Sequence, residues 1–200
     1  MPNINAPSGF VPRKTLTGAS WNGAVNRYYV PSTNTDMISV GDAVKSATGG
    51  DANGVPAVQK ALGTDAVRGV VVGVSVAGDS TSLNGVTLDL SQQNIPAAKT
   101  KDYYVFVVDD PNVVFSIQDD GLSALTASAC NKNATFTVVN PTSPRQNSAS
   151  VLSTASVANT ATLNLRIMGL DVVPGNTYGA YARWLVKFNL HELANGTAGV

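Results

Sequence analysis

The side chains able to do acid, base, nucleophilic or metal chemistry are few. There is one histidine, His191, and one cysteine, Cys130. Zinc sites draw on several Cys and His ligands, and a lone histidine cannot supply such a set. Nothing beside Cys130, flanked by Ala129 and Asn131, lowers a thiol pKa. The apolar-polar alternation of residues 182–190 places His191 on the outward face at the end of a strand. The acidic residues include two adjacent pairs, Asp109–Asp110 and Asp119–Asp120. They flank an alternating segment and stand at opposite ends of an expected hairpin, so they do not converge on one ion. Turn and cap roles account for them. Asp51–Ala52–Asn53–Gly54 has the start of a calcium loop but lacks its closing bidentate Glu, and reads as a turn. No Gly-rich phosphate loop ends in Lys-Ser/Thr, and no Gly-x-Ser-x-Gly elbow occurs. The residues therefore predict a non-enzymatic protein with no cofactor and no metal. Six tyrosines, paired at Tyr28–Tyr29 and Tyr103–Tyr104 with Tyr178 and Tyr181 later, could stack on sugars. Neighbours in a strand face opposite ways, so core or interface packing is the simpler role.

The elements that carry these residues are strands. Val113, Phe115 and Ile117 alternate with Val114, Ser116 and Gln118. Leu163, Leu165 and Ile167 alternate with Asn164, Arg166 and Met168. Trp184, Val186, Phe188 and Leu190 alternate with Arg183, Leu185, Lys187, Asn189 and His191. Such period-2 patterns belong to half-buried strands. Residues 103–108 are apolar on both faces and, with a turn at Asp109–Asn112, predict a hairpin with 113–118. Further strands are expected at 27–30, 37–40, 43–45, 56–61, 67–76, 86–90 and 134–139, and one short helix at 122–129. Asn22–Gly23, Asn53–Gly54 and Asn84–Gly85 suit tight turns. The fold class is thus all-β: a β-sandwich or jelly-roll-like barrel of about nine or ten short strands, with at most one short helix.

Pro2, Pro7 and Pro12 punctuate residues 1–20, where no period is visible, so this segment is expected to be an extended N-terminal arm. Residues 21–194 form the β domain and 195–200 a flexible tail. Residues 77–101 are expected to be a long surface excursion. Phe10, Val11, Pro12, Arg13, Lys14 and Leu16 are the arm's candidate partner-binding residues.

A chain of 200 residues needs no disulfide to build a core. Charged residues are only 13%, half the ordinary share of about 25%, and net charge is zero. A surface poor in charge loses less hydration when a partner covers it. Without a basic stripe, direct nucleic-acid binding is not expected, and no apolar run reaches the length of a membrane span. The sequence Met1–Pro2–Asn3–Ile4–Asn5 lacks a basic region followed by an apolar core, so a reducing cytoplasm is the expected place of synthesis.

The order of several segments carries a resemblance. Ala6–Pro7–Ser8–Gly9–Phe10–Val11–Pro12 is followed by Leu16–Thr17–Gly18, Tyr28–Tyr29–Val30–Pro31, Gly41–Asp42–Ala43–Val44 and Asp51–Ala52–Asn53–Gly54–Val55–Pro56. Then come Arg68–Gly69–Val70–Val71–Val72–Gly73, residues 104–111, Leu165–Arg166–Ile167–Met168–Gly169–Leu170 and residues 182–188. This order, which covers most of the chain, resembles the capsid decoration (cement) proteins of tailed phages. The resemblance implies a structural virion protein on the capsid surface, made in the host cytoplasm. It implies a jelly-roll-like domain that bridges subunits of the major capsid protein and contacts neighbouring copies of itself. The alternative is a receptor- or glycan-binding β protein of the virion surface.

Overall fold

A computed structural model describes residues 3–77, 86–87 and 93–194. Strands dominate it: β1 (Val11–Thr15), β2 (Asn26–Val30), β3 (Ile38–Ser39), β4 (Ala43–Gly50), β5 (Pro56–Lys60), β6 (Gly69–Ala77), β7 (Val86–Thr87) and β8 (Asn94–Ile95). They continue with β9 (Tyr103–Val108), β10 (Val113–Gln118), β11 (Asn133–Ala134), β12 (Phe136–Thr137), β13 (Val151–Leu152), β14 (Leu165–Leu170) and β15 (Arg183–Phe188). The expected all-β, sandwich-like class is what is observed. Helical structure among the described residues is two single 3-10 turns, Ala127–Ala129 and Thr154–Ser156. The first lies inside the segment expected to be a helix. It stops at one turn because Thr126 caps it and the chain extends again at Cys130.

Strands β4, β5, β2, β9 and β6 pair in that order, and β6 pairs back onto β4. The sheet therefore closes into a small barrel, with β7 added beside β6. Its pairs are antiparallel except β2 with β5. A second sheet runs β1-β10-β15-β14-β11. Two apolar cores result. One fills the barrel with Tyr28, Val30, Val44, Val58, Val71, Val74, Val105 and Val107 among others. The other lies between the barrel and the second sheet, around Phe10, Phe115, Ile117, Trp184, Val186 and Phe188.

This double core explains the valine runs. Adjacent strand residues point to opposite faces. Ala43 and Val44, Val70 and Val71, and Val107 and Val108 each send one side chain into each core. A strand walled by apolar matter on both sides loses its alternation. The same fact corrects the hairpin expected between 103–108 and 113–118. The turn is where the sequence puts it, but β9 pairs with β2 and β6 while β10 pairs with β1 and β15. The chain crosses from barrel to second sheet at Asp109–Asn112. Turn chemistry is identical for a hairpin and a crossover, so composition cannot separate them.

Residues 1–20 are not a free arm in their described part. Phe10 is 1% exposed and meets the rings of Phe115, Phe136 and Phe188 at centroid distances of 5.1–6.3 Å. Val11 to Thr15 form the edge strand β1, with a register shift between Pro12 and Lys14. Proline fits there because an edge or bulge position needs no ladder N–H. Gly9, with φ of +66°, lies against Gly41: a Cβ on it would stand 2.3 Å from the Gly41 carbonyl oxygen. Phe10 N–H donates to that same oxygen at 2.8 Å. The close approach seats Phe10 in the core.

Candidate assembly surface

The polar face of β10 positions the surface. The alternation of Val114, Ser116 and Gln118 with apolar residues predicts a half-buried strand, yet every residue of β10 is buried. Residues 3–8 pass over its Gln118 end as a strap. Gln118 donates from Nε2 to the Ile4 carbonyl at 2.8 Å, and its Oε1 accepts the Ala6 N–H at 2.9 Å. Arg183 donates to the Ala6 carbonyl at 3.0 Å. Asn3 exchanges two hydrogen bonds with the backbone of Thr177, and Arg145 donates to the Pro7 carbonyl. Farther along β10, the Ser116 hydroxyl donates to Asp171 at 2.6 Å, and Arg13 pairs with the same carboxylate at 3.1 Å. Ser116 and Gln118 are uncharged, so their bonds close without burying an unpaired charge. That is the one signal in the sequence that hinted at cover.

The strap is tied to Thr177 through Asn3, and both segments carry exposed apolar side chains. Ile4 is 80% exposed, Val172 91% and Tyr178 48%. Ile4, Val173 and Pro174 line a shallow hollow of about 320 Å³ there. The Tyr178 ring is braced on buried Trp184, with centroids 5.8 Å apart. This end of the molecule thus combines exposed apolar groups with a backbone held by side-chain bonds from Asn3, Gln118, Asn176 and Arg183.

The six residues expected on a partner-binding arm divide. Phe10 is in the core and is withdrawn from that role, because a ring enclosed by three others cannot contact a partner in the folded chain. Val11 and Pro12 are half-buried in β1. Arg13, Lys14 and Leu16 are exposed, and Arg13 is bonded to Asp171. The outer edge of β1 is closed by its own chain, with Thr15 N–H on the Ala19 carbonyl and Trp21 N–H on the Arg13 carbonyl. Such cover blunts strand addition by another chain.

His191 does not face outward as the alternation predicts. It is 1% exposed rather than outward-facing. The alternation holds through Phe188 and then breaks, because residues beyond β15 leave the sheet and His191 bridges to Val67. Its Nδ1 accepts the Leu193 N–H at 3.1 Å. Burial pushes its pKa down to about 4, against the opposing pull of Asp109, Glu192 and Asp110. Arg68 adds to the lowering. Below the ordinary histidine pKa of 6.5 the unfolded chain takes up a proton that the folded chain refuses. Stability from this residue is therefore complete above about pH 6.5 and is lost as pH falls toward 4, by about 3 kcal/mol over that window. Asp119, whose pKa burial raises, acts in the opposite direction at the acid end. Urea melts between pH 7 and 4.5 are expected to show this decline, and His191→Gln to flatten it; equal slopes in both proteins would remove His191 as the cause.

The carboxylate pairs serve local structure. Asp109 accepts from Asn26 and from the Tyr28 hydroxyl at 2.6 Å. Asp110 accepts Asn112 N–H in the crossover turn. Asp119 is buried and accepts from Trp184 Nε1 at 3.0 Å, and Asp120 holds Thr154. Asp51 accepts the N–H groups of Asn53 and Val55, closing the β4–β5 turn. Among the described residues no three His, Cys, Asp or Glu side chains gather as a metal site. Cys130 is a half-buried free thiol packed on the second core. The tyrosines do not form one platform. Tyr28 lies in the barrel core, and Tyr104 is 8% exposed beneath Arg27, whose guanidinium stands 4.9 Å from the ring centroid. Tyr29 is pushed up to about 12 by desolvation and its bond to Asp102.

The tail at 195–200, Asn84–Gly85 and much of the 77–101 excursion lie outside the described residues. No protein-family model, curated protein or solved structure matches the chain.

Proposed function

We propose that this chain is a structural protein that works by assembly, binding the outside of a tailed-phage capsid and cementing neighbouring major capsid subunits. The observation that supports assembly is the surface hollow that Ile4, Val173 and Pro174 line beside the strap, with Val172 and Tyr178 exposed on the same stretch of chain. Apolar groups in a cluster, rather than scattered singly, mark surfaces that another protein covers. The low charge of the chain favours the same reading, since 13% charged residues leave little hydration to strip. The phage capsid and the contacts between copies rest on the resemblance in segment order.

The mechanism is additive burial. Covering apolar area is worth about 25 cal/mol per Å². One such contact is modest, but a symmetric shell repeats it at every equivalent position and a bridging subunit makes two at once. The covered edge of β1 directs docking to side-chain surfaces rather than to strand addition. This reading invokes no cofactor, nucleic acid or membrane.

Replacing Ile4 and Val172 together with serine is expected to lower occupancy on purified capsids at least about tenfold, while stability moves by no more than about 0.5 kcal/mol. Quantitative gels of sedimented particles, with denaturant melts of the free protein, measure both. Unchanged occupancy would remove this patch from the contact. Cryo-electron microscopy of the parent particle tests the wider reading, which fails if the chain is absent from the outer shell.

A further inference from the structure

A lysine amine, an asparagine carboxamide and a carboxylate converge where the end of barrel strand β5 meets the segment after β12. Lys60, the last residue of β5, donates from Nζ to Asn140 Oδ1 at 2.6 Å. A carbonyl bond is about 1.23 Å long, so Nζ stands no more than about 3.8 Å from Asn140 Cγ. Asp42 Oδ2 lies 2.9 Å from the same Nζ. An amine, the carbon it could attack and a base for its protons are thus side by side.

The surroundings hold these groups in place and keep the amine dry. The Lys60 and Asp42 side chains are 8% and 1% exposed, so little water reaches either. The Met37 carbonyl steadies Nζ at 2.9 Å, and Asp42 is fixed by the Ser39 N–H and the Ser150 hydroxyl. Asn140 stands at the surface, and its Nδ2 hydrogen-bonds to no described residue, so that nitrogen is free to leave. Partners fixed within reach of each other react as if at very high concentration. Lys99 supplies the contrast. Its Nζ also reaches an asparagine, Asn34 Oδ1 at 3.3 Å, but no carboxylate of a described residue lies at ion-pair distance from it.

We propose that Lys60 and Asn140 form an intramolecular isopeptide bond, with Asp42 as the proton carrier. Asp42 takes a proton from the ammonium group, and the free amine attacks Asn140 Cγ. The Cγ–Nζ bond forms and the Cγ–Nδ2 bond breaks. Of the three ammonium protons, one stays on the new amide nitrogen. Two pass by way of Asp42 to Nδ2, which leaves as ammonium. Charge and atoms balance, and no oxidant or further reactant is needed. The buried ion pair of Lys60 and Asp42 is the state before reaction, and the bond turns its cation into a neutral amide. It ties β5 to the segment after β12 across a sequence separation of 80 residues. The bond forms within one chain, whatever the protein docks to.

Mass spectrometry of the full chain is the test, at purification and on standing. The chain is expected to weigh one ammonia less than its sequence. Trypsin is expected to release a branched peptide, with fragmentation placing the branch between Lys60 and Asn140 and none at Lys99. Asn140→Ala keeps the full mass and leaves the ion pair in place, so it is the background on which the pair itself is measured. Asp42→Asn slows branch formation at least about tenfold, the loss expected when a positioned proton carrier is removed. Circular dichroism checks that both variants fold. A chain that stays at full mass overturns the proposal. So does an ammonia loss that maps to a cyclic imide at an Asn-Gly pair, which sheds the same mass without a branch. A branch that forms as fast in Asp42→Asn as in the intact chain overturns the role given to Asp42.

Discussion

Deleting residues 1–20 is expected to unfold the protein rather than to release an accessory arm. Phe10 alone supports this. A phenylalanine cut to alanine in a closed core costs about 3–5 kcal/mol, against a whole stability of about 5–15 kcal/mol for a domain. Phe10 meets three other rings, and no water reaches it. The deletion also removes β1, which exposes the ladder groups of β10 to solvent. It strips Gln118 and Arg183 of their strap carbonyls as well, leaving donors in a site shaped to exclude water. Two shorter changes divide these effects. Phe10→Ala should lower stability by about 3–5 kcal/mol, and removal of residues 1–7, which spares Phe10 and β1, by about 1–3 kcal/mol. Circular dichroism and urea melts measure all three. A 1–20 deletion that melts like the intact chain would show that the segment is an arm after all.

What the sequence made legible follows from where its periods are complete. Trp184, Val186 and Phe188 are buried in alternation because β15 has one core face and one outer face, the condition that a period-2 reading assumes. Leu165 and Ile167 obey the same rule. The turn at Asp51–Gly54 was legible because an Asx turn is a local device: Asp51 bonds its own chain two and four residues on. Failures occur where a distant segment supplies the second wall. The lack of charge on Gln118 hints at cover, but nothing local to it names residues 3–8 as the cover. Nothing local to Val107–Val108 tells that each side chain meets a different core. The strap was hidden for a further reason. Its bonds run from side chains to backbone, so they impose no pattern on the residues they hold, and Asn3 to Ser8 read as irregular sequence.

The candidate assembly surface inherits that illegibility. Ile4 is far in sequence from Val173 and Pro174, which line one hollow with it, and Asn3 ties the strap to Thr177 close by. The strap both bonds Gln118 of β10 and presents Ile4, so on the proposed reading stability and docking share one segment while depending on different atoms of it. Backbone groups of residues 4–7 hold the fold, and the Ile4 side chain stands exposed. On the proposed reading, that division is why Ile4→Ser is expected to change docking without costing the core.

The second large effect is expected at Lys60. Its ammonium group lies 2.9 Å from Asp42 Oδ2, and both side chains are nearly shielded from solvent, at 8% and 1% exposure. The pair ties four segments. Asp42, just before β4, accepts the Ser39 N–H of β3 at 2.9 Å and the hydroxyl of Ser150, just before β13. Lys60, at the end of β5, donates to the Met37 carbonyl and to Asn140. A buried ion pair contributes little net stability when compared with a well-packed apolar pair, but removing one partner strands the other charge. Lys60→Met keeps the volume of the stem and removes the cation. It is expected to cost about 3–5 kcal/mol. Adding Asp42→Asn removes the stranded charge while keeping an acceptor for the Ser39 N–H, and should recover at least about half of that loss. The coupling from the double-mutant cycle, read by urea denaturation at pH 7, distinguishes a buried ion pair from simple packing. A Lys60→Met cost under about 1 kcal/mol would mean that water reaches Asp42 once the ammonium is gone. The four segments would then be held by the apolar cores on either side rather than by this pair.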